Sequence, residues 1–342
     1  MHGAEALCFM NRRLILSNKL LKFIFFIQCI PFWNTIGVVN FPDSPAMDLA
    51  NLNAFVAVAE CGSFSLAGER LHLTQPAVSK RIAALEQQLS VRLFDRLGRE
   101  VSLTESGRAL LPRAYQILST LEDTRRALSN LNGEVSGRLS LATSHHIGLH
   151  RLPPILREYT RCYPKVSLDI QFLDSEVAYE QVLHGRAELG VITLAPHTEP
   201  PVRAFKVWDD PLDFVTAPDH PLARQTSVDL ADVAAYPAIF PGGNTFTHRI
   251  VSRLFEAREL VPSIGMSTNY LETIKMMVSV GIAWSVLPRT MLDSQITRLA
   301  LVDIQLSREL GYILHSERTL SNAARAFMAL LDDIRPLPGS LT

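Results

Sequence analysis

The spacing of apolar positions changes along the chain, and each change predicts a new kind of element. In residues 49–60, Leu52, Phe55, Val56 and Ala59 recur every three or four positions, the pattern of one helix face. Cys61-Gly62 ends that helix. Ser63 or Ser65 can cap a short second helix over 65–71, and His72-Leu73 forms a turn. Thr74 has the chemistry of an N-cap for a third helix over 75–89, with Pro76 in its first turn, where a missing N–H costs nothing. Val78, Ile82, Leu85 and Leu89 make its buried stripe, while Gln75, Pro76, Ser79, Lys80, Ala83 and Gln87 fall away from it.

Residues 94–103 read as a small hairpin with Gly98 at its tip and Arg96 and Arg99 upon it. Thr104 then opens a long helix. Leu110, Ala114, Ile117, Leu121, Thr124, Leu128 and Leu131 alternate at spacings of four and three, a heptad seam. One helix cannot bury such a seam on itself, and the same helix from a second chain is the simplest partner.

After Asn132-Gly133 the rhythm shortens. Strands are predicted over 138–143, 166–172, 189–194, 212–217, 238–240, 263–266, 283–287 and 310–314. Helices are predicted near 152–159, 176–184, 247–257, 271–280 and 321–334. Strand–helix–strand order implies a parallel sheet with helices on its faces, and two crossings imply two α/β lobes around a cleft. Ligands of such sheets bind beyond the carboxyl ends of the strands, near helix N-termini. That rule selects Ser144, His145 and His146 after one strand, and Ser175 and Thr193 beside the next two. It also selects Gly243, Asn244 and Thr245 in a glycine-rich loop, and Asn269 before another helix. Either histidine could equally be an ordinary packed or surface ring. A zinc site needs more ligands than this pair, so no metal and no cofactor are expected. Arg151, Arg186 and Arg203 are not tied to strand ends by the pattern, which favours a small anion or organic acid held by hydroxyls, amides and histidine.

Composition adjusts this picture in three places. A length of 342 residues with 47% apolar and 20% charged residues fits two or three globular domains. Net charge is −1, and residues 47–110 carry seven basic and seven acidic side chains, so any nucleic-acid reading must rest on where the charges sit. The exposed face of the third helix is small and polar, as a helix entering a major groove requires, although an ordinary amphipathic helix can look the same. Cys8, Cys29, Cys61 and Cys162 have no metal-ligand spacing, which suits a reducing compartment. Arg12, Arg13, Lys19 and Lys22 precede an apolar run from Phe23 to Trp33, half the roughly 20 residues needed to span a bilayer. The expectation is that the functional chain begins at Met47, the alternative being a genuine disordered or membrane-touching arm.

The stretch LANLNAFVAVAECGSFSLAGERLHLTQPAVSKRIAALEQQLSVRLFDRLGREVSLTESG resembles the LysR-type transcriptional regulators. The order TQPAVS, LE, LF-R and LTESG carries the resemblance. It implies an all-α winged helix-turn-helix over 47–107, a dimerising linker helix over 108–132, and a two-lobed effector domain over 137–338, similar to periplasmic binding proteins. The lobes would be 137–208 with 308–338, and 209–307. Thr74, Gln75, Pro76, Ser79 and Arg81 would face bases or phosphates, with Lys80 beside them and Arg96 and Arg99 serving the wing. The implied partners are a pseudo-palindromic DNA duplex, a small effector, a second copy through the linker helix, a tetramer of such dimers and RNA polymerase. The protein would be a cytoplasmic activator with no membrane role. ATSHH resembles the hydroxyl-rich entry of the sulfur-assimilation regulators, and the whole resembles the FinR-type subgroup, which implies a role in sulfur or redox metabolism. Two other readings compete with this one. An enzyme would need a motif such as GxSxG, GxxxxGK[ST], HExxH or GxGxxG after a strand, and none is present. A periplasmic solute-binding protein would not carry residues 47–107.

Overall fold

The computed structural model describes residues 47–97 and 100–334, which fall into two compact units divided between Ser102 and Leu103. The extension expected to precede the functional start, with Cys8 and Cys29, lies outside the described residues, as does Arg99. No helix among those residues is long and apolar enough to cross a membrane.

The first unit holds α1 (Leu49–Cys61), α2 (Phe64–Leu71), α3 (Gln75–Leu89), β1 (Phe94–Leu97) and β2 (Glu100–Leu103), the two strands forming a small sheet. Its helices begin where short polar side chains can satisfy free N–H groups. Asp48, Ser63 and Thr74 accept hydrogen bonds from Ala50 N, Leu66 N and Ala77 N at 2.8, 3.4 and 3.4 Å. Gly62 ends α1 in the left-handed region at φ 59°, as the sequence suggested. Leu52, Phe55, Val58, Ala67, Val78, Ile82 and Leu85 are fully buried and form the core. The α2–α3 turn is tight, and a Cβ on Gly68 would lie 2.7 Å from the Leu73 carbonyl oxygen. Glu86 Oε1 accepts Leu93 N at 2.7 Å, fixing where the chain leaves α3 for the hairpin.

The second unit opens with α4 (Glu105–Asn130), capped by Thr104 Oγ1 accepting from Gly107 N at 3.0 Å. It continues with β3 (Gly137–Thr143), α5 (His145–His150), α6 (Leu152–Cys162), β4 (Val166–Phe172), α7 (Ser175–Leu183), β5 (Leu189–Thr193) and β6 (Val202–Thr216). Then come α8 (Leu230–Ala234), β7 (Pro237–Phe240), α9 (Phe246–Glu256), β8 (Ser263–Ser267), α10 (Leu271–Ser279), β9 (Ser285–Pro288), β10 (Thr297–Arg298), β11 (Leu306–His315) and α11 (Asn322–Asp333).

The expected parallel sheet is only partly parallel. β4, β3 and β5 run parallel, but β11 joins β5 antiparallel and then pairs with β6 along ten registered positions, making a mixed seven-stranded sheet. The reason is that the chain returns from its far segment beside the strand by which it left. β6 also begins ten residues earlier than its expected start at 212, because Pro211 and two acids interrupt its apolar alternation without interrupting its pairing to β11. Two sets of cores flank this pair of long strands. Leu139, Leu141, Ile155, Leu310 and Phe327 belong to one side, and Leu212, Phe214, Phe255 and Trp284 to the other.

α4 is tied to the α/β body by polar contacts. Arg318 Nε lies 2.7 Å from Asp123 Oδ2, and Arg318 Nη2 donates to Ser119 O at 2.9 Å. Asn130 Nδ2 donates to Leu320 O, while Asn130 Oδ1 accepts Asn322 N. Ala114 of the seam is buried and Leu110 and Leu121 are half-buried, whereas Ile117, Thr124 and Leu128, together with Leu131 just past the helix end, are exposed.

Candidate DNA-reading helix and effector cleft

The first unit presents α3 as the sequence suggested. Val78, Ile82 and Leu85 are buried and Leu89 half-buried, while Thr74, Gln75, Pro76 and Lys80 are exposed and Ser79 and Arg81 half-buried. Gln75 Nε2 donates to Ser79 Oγ at 3.1 Å, one helical turn on. This contact holds the amide along the helix surface, where its carbonyl and the serine proton remain for pairing with base edges. Arg96 lies in β1, but its side chain, like all of Arg99, lies outside what the structure describes.

In the second unit the residues expected near strand ends largely converge. A cleft of about 480 Å3, part of it open to solvent, is lined by Ser144, His145, His146, Ser175, Thr193, Thr245 and Asn269 from the expected set. Gly243 and Asn244 are not among them. Both are exposed on the loop before α9, because that loop turns back to let Thr245 cap the helix on His248 N at 3.1 Å. Asp174, Glu176, Pro241, Thr247, Leu271 and Arg308 complete the lining and were not anticipated.

The polar groups of the cleft are organised in layers. Ser175, the first residue of α7, accepts Thr193 N on its Oγ at 3.1 Å, locking the ends of β5 and α7 together. Asn269 donates to Asp174 Oδ2 at 2.6 Å and accepts Gly242 N at 2.7 Å, joining the two sides of the cleft. Glu176 accepts a short hydrogen bond from Phe246 N, so its carboxylate occupies the start of α9. Burial pushes the Glu176 carboxyl above its ordinary range, opposed by the backbone N–H groups that bond to it.

Arg308 is buried at the cleft wall, donating from Nε to Asp210 Oδ2 at 2.8 Å and from Nη1 to Thr247 Oγ1 at 2.9 Å. Asp210 is fully buried and also accepts from Arg151 at 3.2 Å. The cleft therefore holds a fixed positive group after all, supplied by a strand end that the apolar pattern does not reveal. His146 is buried and neither ring nitrogen has a hydrogen-bond partner. Desolvation first, and the charge of Arg308 second, lower its pKa to about 4, leaving it neutral near pH 7. His145 is half-buried between rings, 5.0 Å from Tyr270 and 6.0 Å from Phe172 by centroid. Cys162 on α6 donates to Glu158 at 3.3 Å, and that hydrogen bond raises the thiol's pKa and disfavours the reactive thiolate.

The arrangement is that of a reading head followed by a ligand-sensing α/β body. Residues 49–108 match the family described as bacterial regulatory helix-turn-helix protein, lysR family, and residues 132–334 match the LysR substrate binding domain. This chain belongs to the LysR family of DNA-binding, effector-controlled transcription regulators. An uncharacterised HTH-type transcriptional regulator from the ibpB-leuC intergenic region of Azotobacter vinelandii is 89% identical over 108 residues, 32% of this chain and 75% of the relative. The SDS degradation transcriptional activation protein of a Pseudomonas strain is 32% identical over 307 residues, covering 86% of this chain and 99% of its own. Among solved structures the fold is similar to that of CbnR, a LysR family transcriptional regulator, with a TM-score of 0.58 at 23% identity, covering 84% of this chain and 99% of that one. The relatives are transcription regulators rather than enzymes, and regulators of this family bind DNA and small effectors.

Proposed function

We propose that a small anion, an oxyanion or a short organic acid, binds in the cleft of this regulator and controls how it engages promoter DNA. The observation that carries this reading is Arg308, a permanently charged guanidinium buried at the wall of a cleft rich in hydroxyls, whose two carboxylates, Asp174 and Glu176, are already engaged by the Asn269 amide and Phe246 N. Ser144, Ser175, Thr193 and Thr247 supply hydroxyl donors, neutral His146 and the Asn269 amide supply further polar groups, and Leu271 and Pro241 supply an apolar wall. A role in sulfur or redox metabolism fits oxyanion chemistry better than oxidation of Cys162, whose hydrogen bond to Glu158 raises the thiol's pKa.

In this reading, residues 47–107 read DNA, 108–132 join two chains, and 137–338 sense the effector. Thr74, Gln75, Pro76, Ser79, Lys80 and Arg81 meet the major groove of a pseudo-palindromic site, and Arg96 and Arg99 reach its backbone. The protein acts in the cytoplasm as a homodimer through α4, pairs into a tetramer, and activates transcription by bringing DNA to RNA polymerase.

A thermal-shift screen of the full chain against small oxyanions, sulfur metabolites and organic acids tests the proposal. An anion that raises Tm in the native protein and loses its effect in Ser144→Ala and Thr193→Val supports it. Equal shifts in native and substituted proteins would remove the cleft from consideration.

A further inference from the structure

His146 and His150 stand four residues apart on α5, and four residues along a helix returns a side chain to the same face. Their rings meet at 4.8 Å between centroids. Glu272, near the start of α10, approaches from the opposite side of the cleft, with Oε1 3.1 Å from His150 Nε2. One ligand atom from each of the three residues can be chosen so that all lie within 4.8 Å of one another. We propose that His146, His150 and Glu272 form a binding site for a divalent transition metal ion, such as Zn2+, that bridges the two sides of the effector cleft.

Two imidazoles and one carboxylate are a ligand set that binds zinc and related ions while leaving a coordination position open. His146 is the strongest single indication. The residue is only 5% exposed, yet both ring nitrogens lack a partner. A buried polar group left unpaired is costly, so an unpaired one points to a ligand. The other two side chains are exposed, which gives an ion a path to the buried nitrogen and lets them close to the spacing that metal–ligand bonds of about 2.0–2.2 Å require. Charge opposes the ion in one respect, since Arg308 is near His146 and Asp210, shared between Arg308 and Arg151, offsets only part of it, while Glu272 supplies the site's own negative charge. Coordination through one nitrogen of neutral His146 leaves the proton on the other, fixing that nitrogen as a donor. The ion would thereby join α5 to α10 across the cleft.

The test is titration of the full chain, without a histidine tag, with Zn2+ by calorimetry and with Co2+ by visible absorption. One ion per chain is expected, with ligand-field bands from Co2+. His150→Ala and Glu272→Gln should each weaken binding by more than about tenfold, since loss of an outer-shell partner alone costs that much. Both side chains are exposed, and metal-free Tm values matching the native protein establish that the variants are folded. Affinities of the native chain and both variants agreeing within about twofold would overturn the site. The anion screen is run separately without metal, so metal binding can fail while anion binding stands, and the reverse.

Discussion

Arg308 Nε donates to the fully buried carboxylate of Asp210 at 2.8 Å, joining the two long strands β6 and β11 at the wall of the cleft. Breaking a buried pair from one side strands a charge. Arg308→Met should therefore cost about 3 kcal/mol, the low end for such a loss because Arg151 still reaches Asp210. Urea denaturation measures this, and a midpoint unchanged from the native protein would contradict it. Arg308→Lys should keep more stability yet lose anion response, because a lysine cannot bond Asp210 and Thr247 through a planar fork.

Glu176 gives the pH dependence its sign. Its carboxyl is raised by burial, so the folded state holds its proton more tightly than the unfolded chain does. Stability from this group is therefore present below its unfolded pKa and lost as pH rises through the raised folded value. Glu176→Gln keeps an oxygen to accept from Phe246 N and removes the charge. At neutral pH the variant should be at least as stable as the native protein and bind anions more tightly, with its stability advantage shrinking as pH falls. Urea midpoints at pH 5 and pH 7.5, with anion titrations at the higher pH, decide the matter.

On α3, Gln75→Ala or Ser79→Ala should narrow the affinity gap between promoter and random duplex. A base contact of this kind is worth about 1–3 kcal/mol, whereas loss of a phosphate contact lowers both affinities alike. Competition gel shifts with both duplexes at fixed salt distinguish the two, and equal loss would exclude base reading.

Leu128 is exposed on the heptad seam of α4. If a second copy covers it, Leu128→Glu should weaken dimerisation by at least about tenfold, since each buried leucine contributes roughly 1.5–3 kcal/mol. Sedimentation velocity across a concentration series reads this, and an unchanged association state would assign the seam no role.

The reading head was legible because its signals are local. Thr74 and Pro76 fixed the start of α3, and the spacing of Val78, Ile82 and Leu85 fixed its buried face. Much of the cleft was also legible, because Ser144, Ser175, Thr193 and Thr245 each lie at the junction of a strand or loop with a helix. Arg308 was not. In the run Ser-Arg-Glu-Leu it looks like a surface charge, and only the pairing of β11 with β6, some hundred residues earlier, buries it against Asp210. Asp174 and Glu176 flank a turn, and their partners Asn269 and Phe246 N come from the other side of the cleft, so no local pattern marks them. The pair His146 and His150 has helical spacing, but the adjacent pair His145-His146 obscures it. Gly148 made the short helix α5 hard to see, and a Cβ there would fall 2.4 Å from the exposed Phe172 ring, which would have to shift.

β6 and β11 run uninterrupted past both groups of core residues, with a register shift between Leu310 and Gly311. The step is closely packed, since a Cβ on Gly311 would lie 2.0 Å from the Phe205 carbonyl oxygen, so only glycine lets the two strands stay paired through the irregularity.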